Sequence, residues 1–212
     1  MRPPEDWRRA RVTLAIAAVT AAAFVLVGMA GADARAANWG GFLPYRFSID
    51  NWGQGAPIWL TPLTATLLHA GALHLLANLL MLLFCGRPVE NVLGPVAIAI
   101  LYLLGAYAAA AGHYLMDPHG IVPMVGASGA ISAVLGAYAM LFGRNKVKVE
   151  NPTIALWLNA LWLLAGWIAL QFAFAFLSSR ADINIAVGAH IGGFVIGLAL
   201  ARPLLLFRYR KA

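Results

Sequence analysis

Five of the polar residues inside long apolar stretches of this 212-residue chain are of types that could do chemistry together. They are His69, His74, Asn78, Ser128 and His190. Polar groups are costly in such surroundings unless they have partners, so they mark candidate functional positions. A serine is a weak nucleophile until a base accepts its proton, and a neutral histidine is the usual base. Ser128 and His190 therefore predict nucleophilic catalysis by a serine–histidine dyad.

The other polar residues suit the stabilisation of a tetrahedral intermediate, which needs hydrogen-bond donors directed at its oxyanion. His74 and Asn78 are four residues apart, share one helix face and carry side-chain N–H groups. Ser128 near a helix N-terminus adds unbonded backbone N–H groups and a favourable helix dipole. His69 is five residues before His74, about 140° around a helix, and is expected to serve another purpose.

Each of these residues also has an ordinary structural explanation. Ser128 alone could be a small residue that packs between helices, and His190 alone could be an interhelical hydrogen-bonding group. His74 and Asn78 could form a purely structural polar pair. No carboxylate within the spans of Ser128 and His190 completes a triad, and Asp182 lies eight residues before His190. The catalytic hypothesis therefore depends on Ser128 and His190 occurring together.

The composition indicates a chain whose outer surface faces lipid. Hydrophobic residues make up 62% and charged residues 11% of the chain, whereas a soluble domain carries about 25% charged residues. With a mean hydropathy of +0.78, the chain cannot be a disordered, collagen-like or ordinary cytosolic protein. The single cysteine, Cys85, forms no intramolecular disulfide, and the five histidines lack zinc-binding spacing. Neither a metal nor another cofactor is therefore expected.

Six apolar stretches without charged residues are each long enough to cross a hydrocarbon core about 30 Å thick. They predict an all-α membrane protein with six transmembrane helices. The third stretch holds no comparable polar group, and the fifth holds only Asn159 and Gln171. The six stretches cover residues 12–30, 59–84, 92–112, 121–143, 153–177 and 183–201.

The distribution of Lys and Arg predicts the orientation. If the N-terminus is inside, twelve basic residues lie in inner segments and only Arg35, Arg46 and Arg180 lie in outer loops. Both termini are therefore expected in the cytoplasm. The basic residues are not gathered with interleaved aromatics as in a nucleic-acid-binding domain. The expected organisation is a cytoplasmic tail, a membrane domain with a long outer loop, and a basic cytoplasmic tail, at residues 1–11, 12–206 (loop 31–58) and 207–212.

This orientation places the polar residues at one level of the membrane, because the second, fourth and sixth spans all run from outside to inside. Ser128 is near the start of its span, His190 about seven residues into its span and His74 about fifteen. All three then lie between the outer half and the middle. Small residues that allow close helix approach share the stripes of His190 and Ser128. They are Gly193, Gly197, Gly129, Ala133 and Gly136.

The first apolar stretch has an alternative explanation as a signal peptide. It follows basic residues and precedes the small-residue sequence Ala34-Arg35-Ala36-Ala37. A signal-peptide core is usually about 7–15 residues, whereas this stretch has about 19 and follows the acidic Glu5 and Asp6. A retained membrane helix is therefore favoured.

Three motifs on alternate spans resemble the rhomboid family of intramembrane serine proteases. The chain has His74-x-x-x-Asn78 preceded by His69, then Gly126-x-Ser128-Gly129, then Ala189-His190-x-x-Gly193. The resemblance covers about residues 55–200. It implies a six-helix rhomboid-like bundle with Ser128 as nucleophile and His190 as general base. His74 and Asn78 would stabilise the oxyanion.

The same resemblance implies structural residues and a substrate class. His69 and Glu90 would tie the second span to the first loop and to the cytoplasmic end, and Gly126 and Gly129 would be structural. The substrate would be a single-pass membrane protein, cut in or near its transmembrane segment where small or helix-breaking residues unwind it. The surroundings would be membrane lipid, and the Ala-rich, compact chain suggests a prokaryotic inner membrane.

The chain departs from the family pattern at two places. Members often carry Trp-Arg in the long first loop, where this chain reads Trp59-Leu60-Thr61. They often place an aromatic residue four positions after the serine, to stack on the catalytic histidine, and here that position is Ser132. A catalytically inactive rhomboid-like protein that binds membrane clients is therefore the alternative. A small transporter or channel ranks below both, because the chain shows no internal repeat.

Overall fold

The chain is built from helices joined by a long first connection and shorter later ones. The computed structural model describes residues 6, 10–47, 55–143, 149–179 and 185–210. Short 3₁₀ turns occur at Pro44–Phe47 and Ala65–Leu67. The α-helices are α1 (Arg11–Met29), α2 (Asp33–Gly40), α3 (Thr61–Thr64), α4 (Ala72–Leu93), α5 (Pro95–Met116), α6 (Ser128–Phe142), α7 (Pro152–Ser179) and α8 (Val187–Arg208).

Five of the helices are long and apolar enough to cross a membrane, namely α1, α4, α5, α7 and α8. Helix α6 is apolar but has only 15 residues. The prediction of an all-α, multi-span membrane protein is therefore confirmed. Helix α6 begins at Ser128, the candidate nucleophile, and not at the start of the apolar stretch predicted at residues 121–143.

The second span begins later than the apolar pattern predicts. The predicted stretch is residues 59–84, whereas the observed helix is Ala72–Leu93. The first part of the predicted stretch is instead a folded connection that contains α3 and a 3₁₀ turn. Threonine hydroxyls hold this connection, since Thr61 donates to the Ile58 carbonyl and Thr66 to the Leu63 carbonyl, both at 2.7 Å. An apolar count does not separate such a buried connection from a span. His74 accordingly lies in the first turn of α4 rather than about fifteen residues into a helix.

The third span also differs from its predicted bounds, because α5 continues to Met116. His113, which follows the apolar stretch predicted at residues 92–112, lies on this helix. Its ring contacts Phe42 edge-on, with 6.3 Å between ring centroids. The side chain is partly buried rather than fully solvated.

Helices α5, α6 and α8 form the most closely packed part of the bundle. A Cβ atom added at Gly193 would collide with the Gly129 carbonyl oxygen, and one added at Gly197 would collide with the Ala133 carbonyl oxygen. A Cβ at Gly112 of α5 would collide with backbone of α8 in the same way. The predicted small-residue stripes are thus confirmed as the surfaces along which these helices meet.

Glu90 joins the last turns of α4 to the first turn of α1. Its side chain is 1% exposed. The carboxylate accepts hydrogen bonds from the backbone N–H groups of Val12 and Thr13, at 2.9 and 2.8 Å, and from the Thr13 hydroxyl at 2.7 Å. The first N–H groups of a helix have no intrahelical acceptors, and a negative charge there also interacts favourably with the helix dipole. Glu90 therefore acts as a cap supplied by another helix.

The long first connection is held against the segment that leads into α6. Phe42 and Met124 exchange backbone hydrogen bonds of 3.0 and 2.8 Å. Closer to Ser128, the Gly126 N–H donates to the Ala65 carbonyl at 2.9 Å. Aromatic residues on this connection remain exposed, as expected for a segment at a membrane interface. They are Trp39, Tyr45, Phe47 and Trp59.

Replacing Glu90 by Ala is expected to lower the free energy of unfolding by about 3 kcal/mol, because two buried N–H groups and a hydroxyl lose their acceptor. Equilibrium unfolding in mixed micelles measures this change. Thr13→Val is the matched control, since it removes one of the three hydrogen bonds and is expected to cost about 1 kcal/mol. A Glu90→Ala protein as stable as the wild type would contradict the capping role.

Candidate active site

Ser128 and His190 meet where α6 and α8 begin. Ser128 is the first residue of α6, and His190 is the fourth residue of α8. The Ser128 Oγ lies 2.7 Å from the His190 Nε2, which is a short hydrogen-bond distance. The structure thus brings together the two residues that the sequence paired across 62 positions. A hydroxyl that donates to an unprotonated Nε2 is ready to lose its proton to that nitrogen.

The other ring nitrogen of His190 has a partner that the sequence prediction did not include. The Nδ1 atom lies 2.6 Å from the Oε1 of Gln171 on α7. One turn earlier on that helix, the indole N–H of Trp167 donates to the His190 carbonyl at 3.2 Å. Trp167 also stacks on Phe194, with centroids 5.1 Å apart and planes at 17°. The available signal was a glutamine that shares a largely apolar span with one other amide, Asn159.

His74 lies beside the segment that leads into Ser128. A Cβ added at Gly126 would lie 2.7 Å from the His74 Cε1 and 2.8 Å from its Nε2. Gly126 also has φ +115°, a conformation that other residues adopt only under strain. Both its dihedral and its neighbour therefore require glycine at this position. The imidazole edge of His74 is thus held two residues before the candidate nucleophile.

Asn78 is buried one turn after His74 on α4. Its Nδ2 donates to the His74 carbonyl at 2.8 Å. An amide nitrogen carries two hydrogens, and this bond uses one of them. The Oδ1 atom is buried and has no hydrogen-bond partner among the described residues.

The start of α6 supplies backbone donors around Ser128. The first helical bond of α6 runs from the Ile131 N–H to the Ala127 carbonyl, at 2.9 Å. The N–H groups before Ile131 belong to the first turn, which has no intrahelical acceptors. The positive end of the helix dipole is directed at the same point. Gly129, packed against α8, keeps this turn close to His190.

His69 lies in the connection before α4, next to His74. The two imidazole rings are 5.1 Å apart, and His69 lines a cavity of about 210 Å³ that Phe24 of α1 and Asp33 of α2 also border. Burial, with a smaller effect from His74, lowers the pKa of His69 to about 4. The ring is therefore neutral at pH 7. This placement beside α1 and α2 fits a link between α4 and the first connection.

Ser132 stands where rhomboid family members often carry an aromatic residue that stacks on the catalytic histidine. Ser132 is buried, and its hydroxyl donates to the Ser128 carbonyl one turn earlier, at 2.8 Å. Asp182, the acidic residue nearest to His190 in sequence, lies outside the described residues. Within the described ranges, no three His, Cys, Asp or Glu side chains are grouped as metal ligands.

These features define a class: a multi-pass helical membrane protein in which a serine at a helix start is hydrogen-bonded to a histidine of a neighbouring helix. Residues 57–207 match the family model described as Rhomboid domain. The chain belongs to the rhomboid family.

Three relatives, one from a plant and two from bacteria, show the extent of the similarity. The chain is 33% identical to RHOMBOID-like protein 1 of Arabidopsis thaliana over 151 residues, which cover 68% of this chain and 34% of that protein. It is 32% identical to Rhomboid protease GluP of Bacillus subtilis over 145 residues, 68% of this chain and 27% of that protein. It is 28% identical to Rhomboid protease GlpG of Pectobacterium atrosepticum over 204 residues, 90% of this chain and 61% of that protein.

The chain therefore spans less than two thirds of the length of these relatives. The family predicted from the three motifs is confirmed, as is the helical bundle. Membership of this family and the apolar helices support an integral multi-pass membrane location.

Replacing Gly126 by Ala is expected to displace the His74 ring and to strain the turn before Ser128, because φ is positive and a Cβ has no room. The rate of labelling by a fluorophosphonate probe, which reacts with activated serines, is expected to fall at least about tenfold, equivalent to about 1.4 kcal/mol. Gly166→Ala is the control, since nothing lies within 4 Å of a Cβ there. Equal labelling of the two variants would contradict this role for Gly126.

Proposed function

We propose that this chain is a serine endopeptidase that cleaves transmembrane proteins in or near their membrane segment through a Ser128–His190 dyad. The observation that carries the proposal is the 2.7 Å hydrogen bond between the Ser128 Oγ and the His190 Nε2. Ser128 is only partly buried, and its hydroxyl is paired with an imidazole from another helix, as a serine nucleophile and its base require. Membership of the rhomboid family supports the same chemistry.

The reaction begins with acylation of the enzyme. The His190 Nε2 takes the hydroxyl proton as the Ser128 Oγ bonds to the carbonyl carbon of the scissile peptide. The carbonyl electrons move to oxygen and form an oxyanion. The imidazolium then gives its proton to the leaving nitrogen, the C–N bond breaks, and an ester on Ser128 remains.

Hydrolysis of the ester completes the cycle. A water molecule attacks the ester carbonyl as His190 takes its proton. The second tetrahedral intermediate collapses by breaking the bond to the Ser128 Oγ, which receives the proton back from His190. The products are a carboxylic acid and an amine, and both catalytic residues regain their starting protonation.

We assign the oxyanion site to His74, Asn78 and the first turn of α6. His74 is held against Gly126, and Asn78 has a further amide hydrogen beyond the one bonded to the His74 carbonyl. The backbone N–H groups that begin α6 adjoin the Ser128 side chain. Donors fixed before the reaction starts stabilise developing charge without reorganisation.

The structural positions and the membrane orientation complete the proposal. His69, Gly126, Gly129 and Glu90 hold the elements that carry the dyad and the oxyanion donors. The excess of Lys and Arg in alternate connections supports cytoplasmic termini. The Ala-rich, compact chain favours a prokaryotic inner membrane. Membrane lipid and a transmembrane protein substrate are the partners that such a site requires.

Labelling of the purified protein by a fluorophosphonate probe tests the dyad. Ser128→Ala and His190→Ala are each expected to lower the labelling rate by about 10³-fold or more, because the nucleophile or its base is lost. Ser132→Ala is the matched control, since it removes a buried hydroxyl one turn along the same helix.

Two results would contradict the proposal. One is a Ser128→Ala protein that labels at the wild-type rate. The other is a folded wild-type protein that does not label, which would favour an inactive rhomboid-like protein that binds membrane clients.

Replacing Asn78 by Leu tests the oxyanion assignment. The labelling rate is expected to fall about 10²-fold, as when one oxyanion donor is removed. Asn91→Leu is the control. Asn91 is also on α4, but at its other end, where its amide donates to the Asp6 carbonyl. An Asn78→Leu protein that labels like the control would remove Asn78 from the oxyanion site.

A further inference from the structure

Gln171 carries a polar side chain into the catalytic centre from a helix that the dyad does not include. It lies on α7 and is 3% exposed. A buried amide is costly unless its groups are hydrogen-bonded. Its Oε1 lies 2.6 Å from the His190 Nδ1, on the side of the ring opposite to Ser128. The described contacts of this amide are therefore with the catalytic histidine.

We infer that Gln171 is a positioning residue that fixes His190 in the tautomer with its proton on Nδ1. The inference rests on the proposed function, in which His190 is the base for Ser128. It adds a third member to the dyad, so that Ser128, His190 and Gln171 form one hydrogen-bonded chain across α6, α8 and α7.

The chemistry of the three atoms determines the direction of both hydrogen bonds. An amide oxygen accepts hydrogen bonds and cannot donate. The His190 Nδ1 must therefore carry the proton in its bond to the Oε1. A neutral imidazole carries only one ring proton, so Nε2 has a free lone pair and accepts from the Ser128 hydroxyl. The bond to Gln171 thus selects the tautomer that general-base catalysis requires.

The alternative tautomer would leave the site inactive. With the proton on Nε2, His190 would present an N–H to the Ser128 Oγ and could not take its proton. In serine and cysteine proteases this choice is made by an aspartate or an asparagine hydrogen-bonded to the histidine. A neutral amide suits a membrane interior, because it fixes the ring without the desolvation cost of a buried carboxylate.

Gln171 is itself held in register with His190 by the turn that precedes it. Trp167 is four residues earlier, on the same face of α7. Its indole N–H donates to the His190 carbonyl at 3.2 Å, and its ring stacks on Phe194 of α8. Helix α7 packs mainly against α8. The backbone and the ring of His190 are therefore both fixed by α7.

The first test compares variants of Gln171 by the rate of fluorophosphonate labelling. Gln171→Leu keeps the size of the side chain but removes the acceptor, and is expected to lower the rate about 10- to 100-fold, as for other partners that orient functional histidines. Gln171→Glu restores an acceptor oxygen and is expected to recover most of the rate. Asn159→Leu is the control, because it removes a buried amide from α7 about 18 Å along the helix.

The second test reads the tautomer directly and does not depend on activity. Nitrogen-15 NMR of histidine-labelled protein, with the His190 signal assigned from His190→Ala, distinguishes a proton on Nδ1 from one on Nε2. The wild type is expected to show the proton on Nδ1, and Gln171→Leu a mixture of both tautomers.

The outcomes separate this inference from the proposed function. A Gln171→Leu protein that labels at the wild-type rate, a Gln171→Glu protein as slow as Gln171→Leu, or a wild-type His190 with its proton on Nε2 would each overturn the role of Gln171. A wild type that does not label but carries the proton on Nδ1 would contradict the proposed function and leave the role of Gln171 standing.

Discussion

The close approach of α6 and α8 is the constraint on which the site depends. The Ser128 hydroxyl and the His190 imidazole, on two different helices, lie 2.7 Å apart where the helix backbones come into contact. Glycine makes this possible, because a Cβ at Gly193 would collide with the Gly129 carbonyl oxygen. In lipid, helices gain little from the hydrophobic effect and associate through such packing and through interhelical hydrogen bonds. The residues that hold the bundle together therefore also set the geometry of the candidate dyad.

Three helix starts converge on the same point. Ser128 begins α6, while His74 and His190 lie in the first turns of α4 and α8. Helix starts concentrate unbonded N–H groups and positive dipole ends, which suit a reaction that develops negative charge on oxygen. At the far end of α4, the Glu90 carboxylate accepts hydrogen bonds from the unbonded N–H groups that begin α1. There the start of a helix binds a negative charge that is part of the fold. One physical feature of helices thus serves both stability and the candidate chemistry.

The sequence predicted which polar residues meet at the candidate site better than it predicted the ends of the helices. Ser128 and His190 could be paired because polar groups are rare in apolar spans and their motifs are specific. The start of α4 could not be predicted, because residues 61–67 carry no charge and are apolar apart from three threonines, as a span would be. Two of the threonine hydroxyls bond to nearby carbonyls, which lets this segment be buried without forming a long helix. Gln171 was visible only as one of two amides in a long apolar helix, and its contact with His190 depends on how α7 packs on α8. Such packing leaves no local pattern in the chain.

The most direct test of the catalytic centre is a structure of the protein after reaction with a fluorophosphonate. The phosphoryl oxygen of the adduct mimics the oxyanion of the tetrahedral intermediate. The predicted result is a single bond from phosphorus to the Ser128 Oγ. The phosphoryl oxygen is expected to face His74, Asn78 and the first turn of α6. A phosphorus atom bonded to any other residue, or a phosphoryl oxygen directed away from these donors, would contradict the assignment.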